Sequence, residues 1–239
     1  MHRLDAARIL ELSERGAALS PGRRALLLLA AAWPDVPVEA LLGLPLGARD
    51  RLLMRLRADT FGTILTSRQA CRDCGEDFEL SLGAADLGFG DASAGEAFPE
   101  PAIGTISEGD ETFAVRAVTV ADLLAAEAAE GAEAARAVLL ARAVPDAPPG
   151  ALDEARAAEA LEALDPLADI ALETSCPHCG ADHELQFDAA AFVWQELAGR
   201  APRILRDVAE LARAYHWSER DILAIPAGRR AFYLAQVLG

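Results

Sequence analysis

Two short cysteine motifs, Cys71-Arg72-Asp73-Cys74-Gly75 and Cys176-Pro177-His178-Cys179-Gly180, constrain this 239-residue chain more than any other feature. They hold all four of its cysteines, so none is left for a core role or as a lone nucleophile. Four thiolates in two Cys-x-x-Cys turns match the ligand set of a closed tetrahedral zinc site. One structural Zn2+ bound by Cys71, Cys74, Cys176 and Cys179 is therefore expected, with the two turns facing each other as a split zinc ribbon. With 101 residues between Cys74 and Cys176, such an ion clamps a large excursion of the chain. The glycine after each second cysteine suits a turn whose backbone must take a positive φ to aim amides at the sulfurs. Each turn opens into an alternating run, Asp77–Ser81 and His183–Phe187, as a half-buried strand does.

Other uses of the cysteines fit less well. A redox dithiol sits at the start of a helix that lowers the thiol pKa, and neither motif opens one. Disulfides need an oxidising compartment, whereas Met1–Asp5 lacks an apolar signal core and no apolar run approaches membrane-spanning length. A cytoplasmic protein with no membrane insertion is expected. His178 and His183 are read as solvated, since four sulfurs already fill the sphere.

Charge narrows the partners. The net charge is −16, and all 22 basic residues are arginine. Residues 71–190 carry five arginines against 26 acids, while both flanks are slightly basic. Asp73, Glu76, Asp77, Glu79, Asp182 and Glu184 crowd the cysteines, where a phosphate-gripping ribbon would need cations. Nucleic acid is disfavoured, and a nucleic-acid-binding zinc-ribbon regulator is the alternative reading.

The pattern along the chain is α+β and mainly α: helical ends around the cysteine turns, a small β-hairpin and a helical insert. Three parts are expected within one compact unit: 1–62 helical, 63–188 ribbon with hairpin and insert, and 189–239 helical. Helices are predicted over Leu4–Glu14, over Arg23–Ala32 after an N-cap at Ser20-Pro21, over Pro37–Leu42 and over Leu46–Phe61. On the last, Arg49, Arg51, Arg55 and Arg57 are expected to form a cationic face opposite a leucine face. That face is either paired with Asp50 and Asp59 or open to an acidic partner.

Gly83–Gly104 reads as a loop or partly mobile linker, and Thr105–Ser107 with Thr112–Ala117 as a hairpin. Thr119 and Asp122 stand at capping-box spacing before an alanine-rich helical insert that runs to about Leu164. After Asp188 as N-cap, helices are expected over Ala189–Ala198, Pro202–Tyr215, Ser218–Leu223 and Pro226–Leu238. A helix-turn-helix reader over Arg203–Leu234 is disfavoured by short helices and thin basic character. No Ser-His-Asp elbow, metalloprotease motif or phosphate loop occurs, which points away from an enzyme.

The stretch Leu211–Pro226, followed by Arg229-Arg230 and Tyr233-Leu234, resembles a pattern in baseplate and hub-assembly proteins of T-even-like contractile phage tails and related injection systems. That pattern is an aromatic residue, a capped short helix, a proline and an arginine pair on a closing helix. Arg116–Leu124 resembles the strand-to-helix entry of such proteins. Leu44–Gly47, Leu53–Leu56 and Phe61-Gly62 before the first cysteine turn, with Phe187-Asp188 and Trp194–Leu197 after the second, are similar to larger members of those clusters. The resemblance implies a non-enzymatic baseplate component or assembly chaperone whose partners are protein subunits of a tail baseplate, hub or spike. It implies that Trp217, Ile222, Arg229, Arg230 and Tyr233 form or brace a partner-docking surface.

Overall fold

The computed structural model describes residues 1–90 and 98–238. Four helices come first: α1 (Ala6–Gly16), α2 (Pro21–Ala32), the short α3 (Val38–Leu42) and α4 (Leu46–Phe61). A hairpin of β1 (Ile64–Ala70) and β2 (Asp77–Gly83) carries the first cysteine turn at its tip. The interval to the second turn holds a hairpin, β3 (Ile103–Glu108) and β4 (Glu111–Arg116), and the helices α5 (Val120–Glu127), α6 (Ala132–Ala143) and α7 (Glu154–Leu164). A third hairpin, β5 (Ile170–Ser175) and β6 (Asp182–Phe187), carries the second turn. Then come α8 (Ala189–Tyr215), α9 (Glu219–Ala224) and α10 (Ala227–Leu238). Each hairpin is its own two-stranded antiparallel sheet, so the architecture is mixed and mainly helical.

The ends of the chain share one core. Leu12, Leu28, Leu29, Leu53 and Leu56 from the first helices meet Val193, Leu197 and Leu211 of α8. Where α1 meets α8, a Cβ on Gly16 would run into the Trp194 ring, so only glycine lets α1 end there. The Arg24 guanidinium lies 4.8 Å from the centre of the same ring and donates to the Gly16 carbonyl at 3.0 Å. A second, smaller core of Ile106, Val115, Ala143, Val144 and Ala157 belongs to the insert.

The capping signals hold where the bond is local: Asp188 and Ser218 each accept a first-turn amide, and Thr119 with Asp122 closes a capping box. Asp5 and Asp153, which were not predicted as caps, cap α1 and α7 in the same way. Ser20 differs. Its hydroxyl donates to Glu127 at 2.6 Å, and Glu127 takes the Gly22 amide at 2.7 Å, so a distant carboxylate caps α2.

Two expectations are corrected. The separate helices on either side of Pro202 are one 27-residue helix, α8. An interior proline costs about 3 kcal/mol, but Leu197, Ala201, Ile204 and Val208 form one buried row across it, and each large apolar side chain recovers about 1.5–3 kcal/mol. The cationic face of α4 is not a face: Arg49 and Arg57 are buried. Arg49 makes a two-pronged pair with Asp50 at 2.7 and 2.9 Å, and Arg57 pairs with Glu196 at 2.9 Å while donating to the Gly62 and Ile64 carbonyls. The Gly83–Gly104 stretch is largely the expected loop in its described part, and that loop is packed against the core. Leu87 and Phe89 are buried in the main core, and Phe98 sets its ring edge-on to Trp33 at 6.2 Å. Residues 91–97 of that stretch lie outside the described residues.

Candidate metal centre

Both cysteine turns are built alike. β1 and β2 stop pairing at Ala70 and Asp77, and β5 and β6 at Ser175 and Asp182, leaving six residues to each turn. In the first, the Cys71 amide donates to Glu76 at 2.9 Å and the Gly75 amide to Cys71 at 3.0 Å. In the second, Cys176 donates to Ala181 and Gly180 to Cys176, both at 2.8 Å. Gly75 and Gly180 both sit at φ +76°, with open space where a Cβ would go. The left-handed backbone, not crowding, selects glycine here.

Turned toward each other, the two tips gather all four sulfurs within 4.8 Å. Cys71 Sγ lies 3.6 Å from Cys179 Sγ, and Cys74 Sγ lies 3.8 Å from Cys176 Sγ. A tetrahedron with metal–sulfur bonds of about 2.3 Å has edges of about 3.8 Å, so the spacing fits one zinc-sized ion. Cys71 and Cys176, the first of each pair, are buried against Phe78, while Cys74 and Cys179 are exposed. Amide donors of the kind that steady thiolates are in place: Cys74 N–H lies 3.5 Å from Cys71 Sγ, and His178 N–H lies 3.4 Å from Cys176 Sγ.

The sulfurs are electrostatically unequal. The Cys71 thiol is pulled down to about 6, chiefly by the Cys74 amide, with Asp73 and His183 helping against partial desolvation. Cys179 is pushed up to about 12: the Ala181 amide favours its thiolate, but desolvation and the sulfurs of Cys71, Cys74 and Cys176 outweigh it. Cys74 is also raised, because desolvation and its Cys71 and Cys176 neighbours overcome the Glu76 amide. Four thiolates this close would need a cation between them, a charge that a metal ion at this site would supply.

His183 departs from its expected solvated position. Its side chain is only 8% exposed, its ring stacks on Phe78 at 6.3 Å, and Nε2 lies 3.3 Å from Cys71 Sγ and 3.8 Å from Asp73. The strand register puts it beside the turn, opposite Thr174, where an imidazole N–H can donate to a ligand sulfur. His183 is in phase with Leu185 and Phe187 on β6, a signal in the alternation that could have placed it on the half-buried face but could not have named its target. His178 stays exposed, with Nε2 3.3 Å from the Asp77 carbonyl.

The C-terminal residues singled out by sequence come together only in part. Trp217 stacks on Tyr215 at 4.6 Å and meets Tyr233 edge-on at 5.1 Å, packing the α8–α9 turn against α10. Ile222 has no exposed surface and Arg230 is 8% exposed, so both brace the helices; Arg229 is exposed. Among the described residues no helix is long and apolar enough to cross a membrane. Compared with protein-family models, curated proteins and solved structures, the chain finds no match. Its class therefore rests on fold and site together: a mixed, mainly helical chain with a four-cysteine site fit for a metal ion.

Proposed function

We propose that Cys71, Cys74, Cys176 and Cys179 hold one structural Zn2+ as a split zinc ribbon, and that the chain is a non-enzymatic binding protein. The observation that carries this is the cluster of four sulfurs gathered by two hairpin tips, a full protein ligand set that would leave a four-coordinate ion no open position for water or substrate. The ion's contribution is to hold together two hairpins that share no strand pairing.

The particular role is a baseplate component or assembly chaperone of a contractile phage-tail-like injection system, acting in the cytoplasm or within the assembled particle. Its support is the sequence pattern from Leu211 to Leu234. The acidic middle of the chain, which suits protein partners better than nucleic acid, agrees with it. Affinity purification from native producing cells, with mass spectrometry of what co-purifies, tests this. Tube, spike or baseplate subunits are expected. Nucleic acid or transcription proteins in their place would replace the reading with the regulator.

A further inference from the structure

We infer that the groove between the N-terminal segment, the end of α4, the middle of α8 and the α9–α10 turn binds an acidic peptide segment of a partner protein. The groove has a volume of about 600 Å³, within the size range of ligand-binding clefts. Its apolar part includes Leu4, Ile9 and Ile204, all buried parts of the main core.

Its charge runs against the rest of the molecule. On a chain of net charge −16, this concavity gathers Arg3, Arg200, Arg203 and Arg230 against only Asp5 and Asp207. Both aspartates are already engaged: Asp5 accepts the Arg8 amide at 2.8 Å to cap α1, and Asp207 lies 3.8 Å from Arg230. Arg200 lies over the Phe61 ring at 4.4 Å and 3.6 Å from Glu196. Arg3 and Arg203 are exposed, and neither has a carboxylate partner among the described residues. Two open guanidiniums over an apolar floor suit carboxylates interleaved with apolar side chains, since a planar fork can take a carboxylate through two hydrogen bonds. α10 starts in the same groove after Pro226, which has no side-chain acceptor for the first-turn amides, adding partial positive charge.

An acidic peptide fits better than nucleic acid. The cationic set lines a half-apolar cleft instead of running as a stripe along a phosphate backbone. This inference depends on neither the zinc site nor the tail-assembly reading.

The test is fluorescence anisotropy on the full-length, zinc-loaded protein at low salt, with a labelled synthetic peptide alternating pairs of Glu with single Leu. A labelled oligothymidylate of equal charge is the second probe. The peptide is expected to bind more tightly than the oligonucleotide. The double variant Arg3→Glu/Arg203→Glu should bind it at least about tenfold more weakly at unchanged melting temperature, while Arg136→Glu, on α6, should bind as the parent does. Three results would overturn the inference: no peptide binding by the parent protein, equal loss in Arg136→Glu, or oligothymidylate bound as tightly through the same two arginines.

Discussion

At the scale of single residues, the centre is governed by which sulfur carries charge before a metal arrives. Cys71 is largely thiolate at neutral pH, whereas Cys74 and Cys179 have raised pKa values and remain thiols. Metal binding must therefore expel their protons. Zinc titration near pH 7 should release at least about two protons per ion, and apparent affinity should rise steeply with pH; calorimetry in buffers of different ionisation enthalpy measures both. His183 acts on the same sulfur from outside the ligand set. His183→Phe keeps a ring against Phe78 but removes the donor to Cys71, so zinc affinity should fall about ten- to a hundredfold with the helical signal unchanged. Competition with a chromophoric chelator would read that loss, and full retention of affinity would show His183 to be packing only.

Between elements, two joints decide how the pieces meet. One is the Gly16–Trp194 crossing of α1 on α8. Gly16→Ala forces a methyl into the indole, and since the ring is also covered by Arg24 the helices must separate. A loss of about 1–3 kcal/mol in urea unfolding is expected, even though alanine is the better helix former. The other is Asp122, buried at the start of α5. Burial alone would raise its pKa, but hydrogen bonds from Arg116, Thr119 and Arg142 reverse this and hold the carboxyl far below the usual range.

A carboxylate with a depressed folded pKa supplies its full stabilisation above the unfolded value and loses it as pH falls toward the folded one. Asp122→Asn should thus cost about 2 kcal/mol at pH 7, less than the about 3–5 kcal/mol of a fully buried pair because both guanidiniums reach solvent. The difference from the parent should begin to shrink only below about pH 4. Urea titrations across that range check it. Asp50 has the opposite sign: burial raises its pKa, and Arg49 offsets this only in part.

On the scale of the whole molecule, the main core joins the two ends of the chain without calling on the cysteines, while on the proposed zinc reading the hairpin tips depend on the ion. Among the described residues, the buried cluster around the sulfurs is limited to Cys71, Phe78 and Cys176, and their strands are half exposed. Chelation should therefore leave most of the helical circular dichroism in place and raise hydrogen exchange mainly in β1, β2, β5 and β6. Loss of the helical signal on chelation would instead show that the ion holds the whole fold.

What the sequence determined by itself was whatever a short stretch of chain can encode. The two cysteine turns, their positive-φ glycines, the hairpins around them and the caps at Thr119, Asp188 and Ser218 depend on neighbours a few residues away. Composition, spacing and local hydrogen bonds therefore specify them. Only the tertiary structure decided the rest. α8 runs through Pro202 because a core assembled from both ends of the chain rewards the unbroken row. Arg57 is buried because Glu196, 139 residues away, comes to meet it. His183 meets Cys71 only when two tips separated by the whole insert converge, and Arg3 and Arg203 line one groove only once the first residues lie against α8. These are contacts between positions far apart along the chain. Their energy comes from burial and charge pairing in three dimensions, which no local period records.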